Sequence, residues 1–181
     1  ENKVFYSQTR VGYKNQNFKI LKFATMLSNS TNMGSGSLTL KNDPRVLPFG
    51  SFLRKTKINE LPQILNILIG DLSIVGPRPQ MEVDFLVYPK YVQDSIYSSK
   101  PGITGMNQIF FKDKEKNISN AENPRKYYKE KIAPSKGKLE LWYLENINFF
   151  TDLKIIMITA LIILFPNAKF FHKLFKNLPE K

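Results

Sequence analysis

Apolar and polar positions alternate in short bursts at the start of the chain. Val4-Phe5-Tyr6-Ser7-Gln8 and Phe18-Lys19-Ile20-Leu21-Lys22-Phe23 have strand-like composition, and the polar stretch between them carries Gly12. This predicts two antiparallel strands joined as a hairpin. From Ser28 to Asn42 large apolar residues nearly vanish in favour of Ser, Thr, Asn and Gly, which predicts a long loop of the kind that can serve as a lid.

Beyond Asn59 the period changes. Leu61, Ile64, Leu65 and Leu68 recur at helical spacing, and Asn59 is a residue type favoured at an N-cap. Pro62 falls in the first turn, where a missing N–H costs little, and Gly70 stands where a C-cap belongs. A helix is predicted from Asn59 to Gly70, with Glu60 at its first position. Ile74-Val75 then runs into Gly76-Pro77-Arg78-Pro79, a stiff turn in which two prolines fix their own backbone angles and hold Arg78 between them.

Met81 to Ser98 is weakly helical with a break at Tyr88-Pro89, and Lys100-Pro101-Gly102-Ile103-Thr104-Gly105 reads as a second tight turn. Asn117 to Lys138, interrupted by Pro124, Pro134 and Gly137, reads as connections around a short helix. Leu139 to Asn148 follows, and Asp152 is a candidate cap for the last apolar helix. The fold class is α+β: a mostly helical single domain with a small antiparallel β-hairpin.

Length and charge then narrow the class. With 181 residues the chain can bury one real core. It has no cysteine and a single histidine, His172, which excludes disulfides, thiolate metal sites and a histidine zinc site and fits a reducing compartment. A net charge of +12 calls for a polyanionic partner: nucleic acid, anionic lipid or a phosphorylated substrate. Ile155 to Phe165 is the most apolar stretch and is far shorter than the roughly 20 residues that span a bilayer. It is either a core helix or an in-plane anchor. The tail Lys169-Phe170-Phe171-His172-Lys173-Leu174-Phe175-Lys176 favours the anchor, with residues 153–176 lying at a membrane surface. The chain opens directly in a strand, without Met or a leader pattern, so a preceding segment is expected.

The middle of the chain carries the chemistry. Enzymes that act on diphosphates neutralise them with arginines and with Mg²⁺ held by carboxylates. Arg45, Arg54 and Arg78 stand near Asp43, Glu60 and Asp71, and Lys100 opens the second turn. Glu60 at a helix start would favour its ionised form, which suits a metal ligand, although the helix dipole alone also places Glu there. Arg78 between prolines is the stronger phosphate candidate, because solubility does not explain a cation fixed that way.

The string Arg54-Lys55-Thr56-Lys57-Ile58-Asn59-Glu60-Leu61-Pro62-Gln63, followed by Gly70-Asp71-Leu72-Ser73-Ile74-Val75-Gly76-Pro77-Arg78-Pro79, resembles the bacterial sugar transferases, the monotopic phosphoglycosyl transferases. The opening hairpin, Asp43-Pro44-Arg45, Lys100 to Gly105 and Asp152-Leu153-Lys154 are similar to further motifs of that family, so the resemblance covers nearly the whole chain. It implies transfer of a sugar 1-phosphate from a nucleotide diphosphate sugar, usually a UDP-sugar, to polyprenyl phosphate, with Mg²⁺ and release of UMP, as the first step of a surface glycan such as exopolysaccharide, capsule or lipopolysaccharide. It also implies a membrane-associated enzyme on the cytoplasmic face of the bacterial plasma membrane, with a re-entrant helix before the first strand. Arg45, Arg54, Arg78, Pro77, Pro79 and Lys100 become expected substrate contacts, and Glu60, with Asp43 as a second candidate, the expected Mg²⁺ ligand.

The chain departs from the family pattern at its centre. The family opens this helix with Asp-Glu, the Asp attacking the β-phosphate to form a covalent intermediate; here the pair is Asn59-Glu60. A carboxamide is a far poorer nucleophile than a carboxylate. Ala24 likewise replaces a residue that is basic in many relatives. Three readings follow: direct transfer, with polyprenyl phosphate attacking the bound donor; a different nucleophile, Asp43 or Asp71; or an inactive homologue. A basic nucleic-acid-binding module is the rival from another class. Nucleic acid is disfavoured as the partner because the aromatics cluster in apolar strands and the C-terminal amphipathic stretch, with no zinc-finger or helix-turn-helix pattern.

Overall fold

The computed structural model describes residues 3–34, 38–111, 118–165, 174–175 and 177–179. Strand β1 (Phe5–Val11) pairs antiparallel with β2 (Asn17–Phe23), as predicted, and its register sets Tyr6 opposite Lys22, Gln8 opposite Ile20 and Arg10 opposite Phe18. Side chains alternate across a strand. These three pairs therefore share the inward face, on which Ile20 is buried.

The helix predicted from Asn59 divides in two. After α1 (Pro48–Lys55), Lys57 turns the chain in a left-handed conformation (φ 62°), and Ile58–Glu60 form one 3-10 turn ahead of α2 (Gln63–Leu68). Asn59 lies buried inside that turn and caps nothing; Pro62 occupies the N-cap position. The cause is Pro62 itself, which has no N–H to give the Ile58 carbonyl. That carbonyl is met instead by the Leu61 N–H at 3.0 Å, the tighter pattern of a 3-10 turn. Gly70 ends α2 as expected, at φ +89°, where a side chain would be strained.

The apolar row of this segment does not face the core. Leu65 is 51% exposed and Leu68 77%, while the polar residues Gln63 and Asn66 are buried. Asn66 pins α2 to the hairpin: its Oδ1 accepts from the Leu21 N–H at 3.0 Å and its Nδ2 donates to the Lys19 carbonyl at 2.8 Å.

The two stretches read as separate turns belong together. β3 (Ser73–Val75) and β4 (Gly102–Thr104) form a parallel pair, Ser73 opposite Gly102 and Val75 opposite Thr104. A Cβ on Gly76 would collide with the Lys100 carbonyl, and one on Gly102 with the Gly76 N–H, so glycine alone permits the approach.

Residues 81–98 give α3 (Glu82–Phe85) and α4 (Lys90–Ser95), broken at Tyr88-Pro89 as predicted; α5 (Met106–Phe110) follows β4. Residues 117–138 depart from the expectation of loops around a short helix. α6 (Pro124–Tyr127), a π turn (Tyr128–Ile132) and α7 (Ala133–Glu145) run on as one helical stretch. Pro134 stands just after the π turn, where the regular i→i−4 ladder is already interrupted, so its missing N–H is tolerated there. The final helix, α8 (Phe149–Leu164), is capped by Asn148, which accepts from the Thr151 N–H at 3.0 Å. Asp152 is not the cap; it accepts a hydrogen bond from the Tyr143 hydroxyl at 2.9 Å.

Two apolar clusters form the core. One joins Val11 of β1 to Tyr88, Val92, Ile96 and Tyr128; the other joins Val75, Met106, Leu139, Tyr143, Ile155 and Ile158. Only the Ile155 and Ile158 stripe of α8 is buried, while Phe149, Phe150, Met157 and Leu164 are 58–76% exposed. The apolar stretch is thus core along one stripe and uncovered along the rest. Among the described residues no helix is long and apolar enough to cross a membrane. His172 and most of the basic tail predicted to follow α8 lie outside the described residues.

Candidate active site

Glu60 is delivered to the inward face of the hairpin by the 3-10 turn, and Asn66 holds that turn's helix against β2. The result is an acid among cations. Glu60 Oε1 accepts from Arg78 Nη2 at 3.2 Å and lies 3.9 Å from Lys22 Nζ. Burial pushes the Glu60 carboxyl upward, but the Arg78 guanidinium, then Lys22 and Lys57, outweigh it and hold the group down at about 2. The Lys22 ammonium is pushed down to about 7, first by burial and then by Arg10, Arg78 and Arg54, against the pull of Glu60. Arg10 is depressed to about 10 by burial and by Arg78. These groups line one cleft together with Arg54 and Lys57.

Arg78 is fixed through its main chain. Its N–H donates to Glu140 Oε1 at 3.0 Å, and its carbonyl accepts from the Tyr97 hydroxyl at 2.9 Å and from Gln80 Nε2 at 3.1 Å. Arg10 Nη1 donates to the Pro79 carbonyl at 3.4 Å. Pro77 and Pro79 are themselves buried, so they brace the turn from beneath and do not offer a contact surface, unlike the expectation for them. Arg54, in the last turn of α1, lines the cleft and donates to Thr39 Oγ1 at 3.1 Å.

Arg45 and Asp43 have a different task from the one expected. Arg45 Nε and Nη2 donate to the two Asp43 oxygens at 2.8 and 2.6 Å, and the remaining donors reach the carbonyls of Ser30, Met33 and Leu38 at 2.7–2.9 Å. The pair is a buried clasp across the polar loop of residues 28–42, and the Asp43 carboxyl is held down to about 2 chiefly by its hydrogen bond with Arg45. A carboxylate so engaged is not poised as a nucleophile or a metal ligand. Asp71 stands at the opposite end of α2 from Glu60, where it accepts from Asn66 Nδ2 at 3.3 Å. Lys100 is beside it, its Nζ 3.4 Å from where a Gly70 side chain would begin. The structure therefore gathers Arg54, Asn59, Glu60 and Arg78 and sets Asp71 and Lys100 apart.

Lys22, Arg10 and Glu140 were missed by sequence reasoning. Lys22 and Arg10 carried a signal: both share strand parity with inward residues. Glu140 carried none, since Lys136 and Glu140 at helical spacing read as a solvated ion pair.

Asn59 is 7% exposed, and its Oδ1 finds no hydrogen-bond partner among the described residues. A buried acceptor without a donor costs stability, which marks the position as shaped by something other than folding. Among the described residues no cluster of three acids or histidines could cage a metal. Glu60 could supply one oxygen ligand to Mg²⁺, which commonly takes one or two protein carboxylates and completes its shell with phosphate oxygens and water.

Residues 1–166 match the family described as bacterial sugar transferase. The chain belongs to that family. It is accordingly an enzyme of the transferase class. It is 38% identical over 157 residues to an uncharacterized sugar transferase, EpsL, of Bacillus subtilis, covering 87% of this chain and 68% of that protein. It is 34% identical over 164 residues to the UDP-glucose:undecaprenyl-phosphate glucose-1-phosphate transferase of Xanthomonas campestris, covering 89% of this chain and 31% of that protein. It is also 33% identical over 173 residues to the UDP-galactose-lipid carrier transferase of Erwinia amylovora, with 88% of this chain and 33% of that protein covered. This transferase chain thus spans about a third of the length of the latter two relatives.

Proposed function

We propose that this transferase moves a sugar 1-phosphate from a UDP-sugar to polyprenyl phosphate, releasing UMP and beginning a surface glycan. The observation that carries the reading is Glu60 held between Arg78 and Lys22 on the wall of a cleft that Arg54 and Asn59 also line. Such a surplus of fixed cations suits a diphosphate, and arginine adds directional donors that match phosphate oxygens. The cleft volume of about 1750 Å³ exceeds the roughly 300–1,000 Å³ of single-ligand pockets, leaving room for donor and acceptor phosphates together.

With an amide at position 59 we favour direct transfer. An oxygen of polyprenyl phosphate bonds to the phosphorus that carries the sugar, while the bond from that phosphorus to the bridging oxygen breaks and its electron pair leaves with UMP. Arg78 and Arg54 hold the diphosphate and neutralise charge that grows on the bridging oxygen. Lys22 pairs with added phosphate charge. Glu60 keeps the cations apart and is the group that would share Mg²⁺ brought in by the donor; bound there, the ion would withdraw charge from the leaving phosphate.

A lipid-borne acceptor and a place at a membrane surface are supported by exposed apolar side chains. Phe49 and Phe52 of α1, Leu65, Leu68 and Ile69 near α2, and Phe149 and Phe150 of α8 are all exposed. Patches of this kind mark sites of association, and with a +12 chain the fitting partner is an anionic bilayer.

A second reading, an altered or silent homologue, is favoured by the buried Asn59 Oδ1, which has no hydrogen-bond partner among the described residues and so gives the amide no structural purpose there. The test is UMP release from UDP-sugars with polyprenyl phosphate, for wild type and Asn59→Asp. Turnover by wild type without a phosphosugar adduct supports direct transfer; turnover by the variant alone overturns it.

A further inference from the structure

The turn that carries Arg78 rests on a buried acid to which no part of the proposed reaction gives a role. Glu140 of α7 is fully buried, and its Oε1 accepts from two donors: the Arg78 N–H at 3.0 Å and Asn107 Nδ2 at 2.6 Å. Its other oxygen, Oε2, has no hydrogen-bond partner among the described residues. Lys136, one turn earlier on α7, is also buried, its Nζ 5.4 Å from the centre of the Tyr128 ring. A carboxylate is among the costliest groups to bury, and an apolar side chain of similar size would pack at this position without that penalty. Its cost is unexplained by packing.

What the acid touches explains it. Flanking prolines fix their own φ angles but leave the peptide plane on either side of Arg78 free to rock, and neither can donate a hydrogen bond. The plane before Arg78 is held at both ends, its Pro77 carbonyl accepting from the Gly102 N–H at 2.9 Å and its N–H donating to Glu140. The plane after it is held by the Arg78 carbonyl, which accepts from the Tyr97 hydroxyl. Glu140 is the side chain that completes the first of these anchors. The guanidinium then leaves this fixed backbone toward Glu60.

We propose that Glu140 is a positioning residue for Arg78: through the Arg78 main-chain N–H it aims the guanidinium at the diphosphate of the donor. This deepens the reading of the cleft as a diphosphate site and rests on it. When ionised, the carboxylate makes a stronger and shorter hydrogen bond than a neutral acceptor would, so the turn is held most firmly above about pH 7. Asn107 keeps Oε1 pointed at the turn from the other side.

Binding of UDP, measured by calorimetry on the intact protein, tests this without requiring turnover. Arg78→Ala is expected to weaken UDP about tenfold, the loss of one charge-assisted contact. Glu140→Leu, which keeps the volume and loses the acceptor, is expected to approach that loss, and the double variant to add little to Arg78→Ala alone. Glu140→Gln retains an acceptor oxygen and should fall between Glu140→Leu and wild type. The Arg78 amide proton resonance reports the contact directly: it should move upfield in Glu140→Gln and further in Glu140→Leu. If Arg78→Ala binds UDP as wild type does, the diphosphate reading itself fails. If Arg78→Ala weakens binding while a folded Glu140→Leu does not, or if the two losses simply add, the positioning role is overturned. Should Glu140→Leu fail to fold, Glu140→Gln decides: an unmoved Arg78 amide resonance with unchanged UDP affinity overturns the proposal.

Discussion

Arg78 Nη2 donates to Glu60 Oε1 at 3.2 Å across 18 positions of sequence, joining a proline-braced turn to a 3-10 turn. Each charge stabilises the other, and under the proposed function both are groups that a diphosphate and its metal would engage. Arg78→Ala should lower UMP release by about 100-fold, the scale of losing one positioned donor to developing charge. Glu60→Gln should lower it comparably while reducing the dependence on added Mg²⁺. Steady-state UMP release over a Mg²⁺ series checks both.

Asn59→Asp places a carboxylate on the wall of the cleft that Lys22, Lys57 and Arg54 also line. If the amide is what blocks covalent chemistry, intact-mass spectrometry after mixing with donor alone should show a phosphosugar adduct on the variant and none on wild type. An adduct on wild type would remove the direct mechanism.

Glu140 gives stability a particular pH dependence. Burial raises its folded-state carboxyl to about 7, above the ordinary 4.5 that it keeps when unfolded. Between those values the folded state binds the extra proton, so this group's contribution to stability falls as pH rises from about 4.5 to about 7 and is level beyond. Glu60 acts with the opposite sign: its folded value of about 2 lies below 4.5, so its contribution is present above 4.5 and is lost as pH falls toward 2. Urea unfolding at intervals of pH should show the first slope flattened in Glu140→Gln and the second in Glu60→Gln.

Arg45 and Asp43 should separate structure from binding. Arg45→Met leaves Asp43 buried without its partner and should cost about 3 kcal/mol in denaturant unfolding. UDP affinity of the folded variant should match wild type, because the clasp holds a loop and no phosphate. A tenfold loss of affinity at unchanged stability would instead make Arg45 a ligand.

Leu65→Glu and Ile69→Glu test the uncovered face near α2. Each removes on the order of 1.5 kcal/mol of apolar contact with lipid, so sedimentation with anionic vesicles should fall about tenfold per substitution. UDP binding in detergent should be unaffected. Equal vesicle binding by wild type and both variants would sink the membrane role of this face.

The site was legible in part. Arg54, Asn59, Glu60 and Arg78 stand out in sequence because proline, glycine and charge punctuate that stretch, and the structure places them on one cleft. Asp71 and Lys100 stood near them in sequence, since charge and proximity along the chain do not say which end of a helix faces the cleft, and Asp43 and Arg45 reach the same cleft but are engaged with each other. Lys22 was marked only by the parity of its strand, and Glu140 was concealed by a spacing that usually means a solvated pair.

By itself the sequence determined the hairpin, the end of α2 at Gly70, the break at Tyr88-Pro89 and the stiffness around Arg78, all consequences of backbone preferences over a few residues. Tertiary structure decided the rest: that the apolar row from Leu61 to Leu68 faces outward, that β3 and β4 pair in parallel, and that Glu60 meets Lys22 and Arg78. These depend on which polar groups find partners when distant segments meet. Asn66 bonded to β2 turns the apolar side of α2 away from the core, and that single docking brings the Glu60 carboxylate to its cations.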